Sequence, residues 1–416
     1  MANLVEELIE RDKQGSPIRV GVIGAGQMGT GMIAQISTIP GMCVTGICDA
    51  VAERAEEAKR IYLDRSQDPH NIITSTDYEE VIRSKEVDVI VEATGITEIG
   101  ARVSMATLLA KKHLVLLNVE VDITIGVLMK QLFDAAGLVY TGSDGDEPAA
   151  TFSLFNFARA MGMEVLVAGK GKNNKLKLYA NPDTARQEAE ERGMNPHMLA
   201  SFQDGTKTMA EMTLLSNATG FLPDVAGMHG ITGDLDETVK QFDLVGEGGV
   251  LQRFGVVDYV DGIAPGVFVI VKGQNAQVAA EMNYMLKKGE RNHHILYRPF
   301  HLGSLETPLT IARAVLHHEA AIVPLAKPVS ETVAVAKKDI AKGEPIDGIG
   351  GFCVRGRIET HETQQQEHHI PIGLIVGDAV AKRDIAKDSV LTEEDVALDS
   401  TTQVYRLRSL QDSLIG

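Results

Sequence analysis

Compact apolar runs alternate with amphipathic stretches along the first third of the chain. Ile18–Ile23 is almost unbroken in its apolar character, which is typical of a strand buried on both faces of a parallel sheet. This alternation predicts βαβ units in a doubly wound, Rossmann-type parallel sheet over residues 1–146. Other strands are expected at Val44–Cys48, Val87–Val91, Leu114–Leu117 and Leu138–Tyr140, and helices at Leu4–Ile9, Ala52–Tyr62 and Val103–Lys112.

The pattern changes after Pro148, where longer helices and glycine-rich strands replace the regular alternation. A mixed α+β catalytic or substrate domain is therefore expected over residues 147–328. Its predicted elements are a helix at Ala149–Met161, a strand at Glu164–Ala168, an exposed helix or loop at Asp183–Arg192 and a helix at Gly205–Phe221.

A nine-residue repeat marks the C-terminal part. Ala334–Lys342 reads AVAKKDIAK and Ala379–Lys387 reads AVAKRDIAK, an offset of 45 residues with one difference. Two copies are too few for a solenoid, so the repeat predicts a small, separate, pseudo-symmetric β domain over residues 329–416 that supplies no hydride-transfer residues. The polar segment Glu359–His369 between the copies is expected to be an exposed loop.

Composition and charge restrict the class of protein. The chain has 416 residues, 44% of them hydrophobic, and a net charge of −17, which excludes wholesale disorder and argues against nucleic acid as a partner. Its three cysteines form no CxxC pair, so neither a disulfide scaffold nor a structural zinc site is expected. No apolar run reaches the ~18 residues of a membrane span. We expect a cytoplasmic homo-oligomer that acts on a small molecule.

The first candidate site is a GxGxxG turn between the first strand and a helix. Gly24 permits the tight turn, Gly26 lets a pyrophosphate approach the backbone, and Gly29 permits close helix–sheet packing. Gln27 and Met28 lie at the helix N-terminus, whose amides favour phosphate. The strand–turn–helix context predicts dinucleotide binding.

The cofactor is expected to be NAD(H) or NADP(H). Asp49 ends the second strand, 20 residues after Gly29, where a carboxylate accepts hydrogen bonds from the adenosine ribose and favours NAD. Arg54 is the alternative partner for a 2′-phosphate, and the choice stays open.

Polar residues follow the predicted strands Val87–Val91 and Leu114–Leu117, at the edge where an open parallel sheet binds its ligand. Thr94, Gly95 and Asn118 are predicted to frame the nicotinamide, and Glu120 to contact the substrate. The alternative for each is a role in a turn or a helix cap.

Charged residues of the middle domain supply further candidates. Asp146 and Glu147 at a helix start either complement the helix dipole or hold a divalent metal ion, Mg²⁺ or Mn²⁺. Lys170 and Lys172 alternate along an extended segment and so point to the same side. In a protein with this negative charge, two ammonium groups on one face suggest an anionic substrate.

A lysine flanked by carboxylates is the candidate for the reaction chemistry. If a helix starts near Asp204, then Asp204, Lys207 and Glu211 form one polar stripe. Lys207 would polarise or protonate a substrate oxygen, and the two carboxylates would orient it. Arg298 and His301, beside two aromatic residues, are predicted to bind an anionic substrate. The alternative for Lys207 and its carboxylates is an exposed ion pair on the helix. The alternative for Arg298 and His301 is the end of a strand packed on the middle domain.

Together these motifs resemble one family along nearly the whole chain, the homoserine-dehydrogenase-like oxidoreductases with a C-terminal SAF (antifreeze-like) domain. The repeat looks like the two arms of that domain. One branch of the family is the deoxyxylulose-5-phosphate reductoisomerase-like enzymes of isoprenoid synthesis, and the resemblance implies NADPH and a phosphorylated keto-sugar. Homoserine dehydrogenases show an Asn-Lys pair where this chain has Asn118 and Val119. The resemblance lies in Gly24–Gly29, Glu92–Gly95, Asn118–Glu120, Gly145–Ala150, Ala168–Lys172, Met194–Lys207 and Tyr297–Glu306.

Three functions follow from these observations. The first is an NAD(P)H-dependent oxidoreductase that acts on a small anionic, phosphorylated or polyhydroxy carbonyl compound. The second is homoserine dehydrogenase itself, and the third is a nucleotide- or sugar-binding module without chemistry. Lysines and carboxylates at strand ends favour an enzyme.

Overall fold

A computed structural model describes residues 3–66, 71–286 and 291–415 of the chain. Among these residues, no helix combines the length and the apolar character that a membrane crossing requires. The strands are β1 (Ile18–Ile23), β2 (Met42–Cys48), β3 (Ile73–Ser75), β4 (Val89–Glu92), β5 (His113–Leu116), β6 (Tyr140–Gly142), β7 (Glu164–Gly171), β8 (Leu222–Pro223), β9 (Ile231–Thr232), β10 (Val256–Asp261), β11 (Val267–Lys272), β12 (His293–Arg298), β13 (Ser330–Ala336), β14 (Val354–Thr360), β15 (Val380–Ala381) and β16 (Val396–Ala397). The helices are α1 (Leu4–Lys13), α2 (Gln27–Ile36), α3 (Ala52–Leu63), α4 (Tyr78–Arg83), α5 (Thr97–Leu109), α6 (Val119–Ala135), α7 (Glu147–Ala160), α8 (Pro182–Arg192), α9 (Pro196–Gln203), α10 (Thr206–Thr219), α11 (Leu235–Gln241), α12 (Ala276–Leu286), α13 (Thr307–His317), α14 (His361–Glu367) and α15 (Gln403–Ile415).

The chain divides into two compact units. Unit 1 comprises Met1–Asp146, Leu302–Val323 and Leu407–Gly416, and unit 2 comprises Glu147–His301 and Pro324–Arg406. The segment that carries the repeat therefore lies in the same unit as the middle region. The division into three domains stays a prediction.

Unit 1 is built on a six-stranded parallel sheet in the order β3-β2-β1-β4-β5-β6, as the alternating pattern predicts. β1 lies between β2 and β4 and is buried along nearly its whole length, which explains its unbroken apolar sequence. β3 has three half-buried residues, too few for the pattern to reveal. β6 begins at Tyr140, where the predicted strand ends.

The sheet of unit 2 has the order β12-β11-β7-β10-β8, with β9 beside β10. β7 lies in the centre, parallel to β10 and antiparallel to β11. Its alternate residues face opposite sides. Val167 packs into one core with Phe268, and Ala168 packs into another with Met212 of α10. Lys170 follows Ala168 by two residues, so β7 directs its side chain toward the face that carries α10.

The two copies of the repeat exchange hydrogen bonds. β13 pairs antiparallel with β14, and β15 with β16, which confirms a small β-rich region. Ile340 of the first copy and its equivalent, Ile385, bond through their backbones in both directions at 2.9 Å. Two further contacts are related in the same way, each 2.8 Å from a backbone N–H to an aspartate Oδ1: Lys387 to Asp339 and Lys342 to Asp384.

The polar segment between the copies is not a loop, which corrects the prediction. β14 extends to Thr360, and α14 covers His361–Glu367. Thr360 begins this helix because its hydroxyl accepts the backbone N–H of Thr363 at 3.2 Å. Most of the segment is exposed, as predicted, although Gln364 is buried.

Candidate active site

The glycine turn after β1 leaves one side of the backbone open. Gly24 has a φ of 104°, and a Cβ on Gly29 would lie 1.9 Å from the carbonyl oxygen of Gly24, so the turn itself requires both glycines. Gly26 caps α2 with a φ of −73°, and a Cβ there meets no atom within 4 Å. The exposed pair Gln27–Met28 opens the helix. This open space at a helix N-terminus fits the pyrophosphate of a dinucleotide.

Gly26→Val is expected to abolish dinucleotide binding and to leave the fold intact. The new side chain occupies the space in front of α2, where its Cβ has no other atom within 4 Å, so it blocks the pyrophosphate with little strain expected in the turn. Fluorescence titration with NADH and NADPH measures binding, and thermal unfolding measures the fold. Gly31→Ala on the same helix is the control. Its new Cβ would have Ser304 Oγ as its nearest atom, at 3.4 Å, so the substitution adds a side chain to α2 outside the glycine turn. Tight binding by the Gly26→Val protein would contradict the assignment.

Asp49 is fixed beside this turn at the end of β2. Its Oδ2 accepts the backbone N–H of Ala25 at 2.8 Å, and its Oδ1 accepts that of Val51 at 2.9 Å. A carboxylate held there is placed to accept hydrogen bonds from ribose hydroxyls, which favours NAD. Arg54 is exposed in the first turn of α3, and its contact with a 2′-phosphate stays a prediction.

The end of β4 holds a buried glutamate to which the sequence analysis assigned no role. Glu92 Oε1 accepts the backbone N–H of Thr94 at 2.8 Å and also the Thr94 hydroxyl. Its Oε2 has no hydrogen-bond partner among the described residues, and burial raises the pKa of Glu92 to about 7. Gly95 follows with a φ of 67°. A carboxyl group that closes an apolar strand is the signal that could have identified Glu92.

Asn118 caps α6. Its Oδ1 accepts the backbone N–H of Val121 at 3.2 Å, and its Nδ2 donates to the carbonyl of Ile96 at 3.2 Å. This is the cap role that the sequence analysis named as an alternative to a nicotinamide contact. Glu120 is buried in the first turn of α6, and its contact with the substrate stays a prediction.

A buried lysine of unit 2 lies between two carboxylates. Lys170 Nζ donates to Glu147 Oε1 at 2.8 Å and to Glu211 Oε2, and the three side chains are 4–6% exposed. Burial opposes the charged form of a lysine, but the two carboxylates outweigh it and raise the pKa of Lys170. Lys170 is therefore an ammonium whose charge is already balanced.

Two further groups contact Glu147. Asn173 Nδ2 donates to Glu147 Oε1 at 3.0 Å, and His301 Nε2 lies 3.3 Å from the same oxygen. His301, a predicted site residue, thus belongs to the cluster. Asn173 was not predicted, because only its position just after β7 indicated it. Arg298 stacks on Phe300 with its guanidinium carbon 4.5 Å from the ring centroid, a cation–π contact.

Lys172 is buried beside neutral oxygens. Its Nζ donates to the carbonyl of Phe202 at 3.1 Å and to the Thr208 hydroxyl at 3.4 Å. Burial, followed by the charge of Lys170, lowers the pKa of Lys172 to about 8. The two lysines therefore differ, because Lys170 donates to two carboxylates whereas Lys172 donates to a carbonyl and a hydroxyl.

Asp204 does not lie on the helix that carries Lys207, which corrects the predicted stripe. Gly205 has a φ of 90°, and α10 begins only at Thr206. Asp204 Oδ1 accepts the backbone N–H of Thr206 at 2.9 Å, and Oδ2 lies 2.7 Å from Lys337 Nζ. Burial raises the pKa of Asp204, and Lys337 opposes this effect.

Lys207 lies in the first turn of α10, one turn before Glu211. Its side chain is half-buried, whereas Lys170 and Lys172 are buried. The charge of Lys207 lowers the pKa of Glu211, although burial and the neighbouring Glu147 raise that pKa overall. Of these three lysines, Lys207 is the most exposed.

Glu147 and Glu211 form ion pairs with Lys170, whose Nζ contacts Glu147 Oε1 and Glu211 Oε2. Their carboxylate oxygens also lie within 4.8 Å of each other, a spacing compatible with a divalent metal ion. The metal site predicted at Asp146 and Glu147 stays a prediction, and the steps proposed for the reaction use no metal ion.

Two oxidoreductase family models match the chain in succession. Residues 18–116 match the model described as "Oxidoreductase family, NAD-binding Rossmann fold", and residues 145–307 match "Oxidoreductase DRL, catalytic domain". Residues 331–397 match the SAF domain, which confirms that part of the resemblance.

Curated relatives match parts of the chain. It is 34% identical over 119 residues to a glycosyl hydrolase family 109 protein of Streptomyces coelicolor, across 28% of this chain and 24% of that protein. It is 31% identical over 97 residues to an inositol 2-dehydrogenase of Salmonella paratyphi B, across 23% and 27%. The chain thus spans about a quarter of the length of these relatives. A solved structure described as a "probable dehydrogenase from Thermotoga maritima" is 17% identical, covers 74% of this chain and 91% of that chain, and has a TM-score of 0.45.

The names of these relatives correct the resemblance to homoserine dehydrogenases. They are named as an inositol dehydrogenase and a family 109 glycosyl hydrolase, not as homoserine dehydrogenases or reductoisomerases. The residues after β5 agree with the correction, because Asn118 caps α6 and is followed by Val119 rather than by a lysine. The isoprenoid assignment likewise has no support among these matches.

Proposed function

We propose that the chain transfers a hydride between a nicotinamide dinucleotide and the carbonyl carbon of a small anionic or polyhydroxy compound. The observation that supports this most is the cluster in unit 2, where the half-buried Lys207 stands one turn from the buried pair of Glu211 and Lys170. The turn Gly24–Gly29 and Asp49 hold the dinucleotide. When bound, the nicotinamide supplies or accepts the hydride.

Lys207 handles the proton that accompanies the hydride. Reduction of a carbonyl builds negative charge on its oxygen, and an ammonium that donates to that oxygen lowers the barrier. The proton passes from Lys207 Nζ to the new alcohol, and solvent then returns a proton to the amine. Glu211 orients Lys207 through its charge, and Lys170 fixes Glu211.

The character of the substrate rests on the groups around this cluster. The hydrogen bonds of Lys172 Nζ go to a carbonyl and a hydroxyl rather than to a carboxylate. An anionic ligand would therefore balance the charge of this ammonium group. Arg298 and His301 provide further contacts for such a group. One relative is named for inositol, which agrees with a polyhydroxy compound.

The test is a screen of the purified protein for substrate-dependent change in cofactor absorbance. NADH and NADPH are each combined with sugar acids, phosphorylated ketoses including deoxyxylulose 5-phosphate, and aspartate semialdehyde, and NAD and NADP with cyclic polyols. Turnover of a sugar acid, polyol or ketose phosphate is expected. Turnover of aspartate semialdehyde alone would favour homoserine dehydrogenase, and binding without turnover would favour a non-catalytic module. The cytoplasmic location and the homo-oligomeric state stay predictions.

The affinity for an anionic substrate is expected to fall as the pH rises through 8. Lys172, with a pKa lowered to about 8, loses its charge there, so KM should rise roughly tenfold between pH 7 and pH 9. The charged groups around it are Lys170, which lowers this pKa, and carboxylates including Glu211 and Asp204, which raise it.

Initial rates with a carboxylate substrate, which stays ionised across this range, separate KM from kcat. Lys172→Met should have a high KM that no longer changes with pH. A kcat that falls above pH 8 while KM stays constant would instead make Lys172 the proton donor.

A further inference from the structure

One side of α10 is hydrogen-bonded along its length to the segment that matches the SAF domain or directly precedes it. The groups on α10 are hydroxyls and one amide at positions 206, 213, 216 and 217, which share a face of the helix. The contacts are Thr206 Oγ1 with the N–H of Gly356 at 2.8 Å, Thr213 with Thr332 at 2.8 Å, Ser216 with Ser330 at 2.6 Å, and Asn217 Oδ1 with the N–H of Val329 at 2.8 Å.

The start of α10 is held by an ion pair from the same segment. Lys337 Nζ lies 2.7 Å from Asp204 Oδ2, and the two side chains are 2% and 0% exposed. Nζ also donates to the carbonyls of Ala180 at 2.6 Å and Gly351 at 2.7 Å. Asp204 in turn accepts the first N–H of the helix, from Thr206.

The repeat provides an internal comparison for this lysine. Lys382 occupies the position of Lys337 in the second copy, 45 residues later. Its Nζ donates to the carbonyl of Glu393, and the residue is exposed. The same sequence context therefore gives one buried lysine with a charged partner and one surface lysine.

We propose that Lys337 is a positioning residue for the reaction centre, acting through Asp204 and the first turn of α10 on Lys207. Without the ammonium, Asp204 is a buried carboxylate with no counter-charge, which is costly. The carboxylate then moves toward other partners, and the N–H of Thr206 loses its acceptor. Lys207, in the next position of that turn, loses its orientation, whereas Glu211 is still held by Lys170. The SAF segment thereby completes the active site, a role that rests on the proposed function of Lys207.

The experiment compares Lys337→Met with Lys382→Met in the full chain by amide hydrogen exchange of residues 206–209. Exchange there should be at least about tenfold faster in Lys337→Met and unchanged in Lys382→Met, because only the first substitution frees the turn. Asp204→Asn combined with Lys337→Met removes both charges and keeps an acceptor for Thr206, so it should restore slow exchange. This double variant also decides the matter if Lys337→Met does not fold.

Steady-state kinetics supplies the second measurement. Lys337→Met should lower kcat by about 10- to 100-fold with the dissociation constant for NAD(P)H unchanged, and Lys382→Met should match the parent protein. Exchange of residues 206–209 that is the same in all variants would overturn the proposal. Changed exchange in a protein that turns over no substrate would instead contradict the proposed function and leave the positioning of α10 established.

Discussion

Lys170→Met is expected to lower the free energy of unfolding by about 3–5 kcal/mol, the usual cost of removing one partner from a buried ion pair. Glu147 and Glu211 would then lose the buried cation that both of them contact. The deficit should shrink as the pH falls, because both carboxyl groups can take up protons. Urea unfolding at neutral and mildly acidic pH measures the effect.

Two variants make this test specific. Lys175→Met, on the exposed segment just after β7, should change the unfolding free energy by less than about 0.5 kcal/mol. Adding Glu211→Gln to Lys170→Met removes one of the two charges and should recover part of the loss. If Lys170→Met unfolds at the same urea concentration as Lys175→Met, the cluster is not ion-paired as described.

Lys207→Ala is expected to lower kcat by at least about 100-fold, the range of help from a positioned general acid. Its affinity for the dinucleotide should hardly change, because the proposed cofactor contacts are the glycine turn and Asp49. Lys207→Arg should recover little activity, since a guanidinium does not release its proton near neutral pH. Initial rates with the substrate identified by the screen, together with NAD(P)H titration, measure both quantities.

The control is Lys240→Ala, which removes an exposed lysine of α11 in the same unit. It should leave kcat within about twofold of the parent protein. Retention of most activity by Lys207→Ala would show that Lys207 is a structural partner of Glu211. The proton donor would then be Lys172, which also lies on the face of the unit 2 sheet that carries α10.

The fold of unit 1 was predictable because its strands are long enough and apolar enough to stand out. β1 matches its predicted bounds, Ile18–Ile23, whereas the three residues of β3 carry too little pattern. The helix at His361–Glu367 was missed because its polar sequence gives no apolar stripe. Its start depends on a threonine cap that composition does not reveal.

The candidate site was predictable where neighbours in sequence are neighbours in space. The Gly24–Gly29 turn forms such a site, since a strand–turn–helix fixes its geometry, and Asp49 was predictable from its place at the end of the second strand. The partners of Lys170 and Asp204 were not predictable, because they lie far away in sequence. Glu211 is 41 residues from Lys170, and Lys337 reaches Asp204 from the C-terminal repeat.

The reciprocal bonds between the two copies of the repeat make the stability of each copy depend on the other. Asp339 in the first copy accepts a backbone N–H of the second, and Asp384 accepts a backbone N–H of the first. A substitution at either aspartate therefore removes a partner from the other copy rather than from its own. The repeat region is accordingly expected to unfold as one cooperative unit rather than one copy at a time.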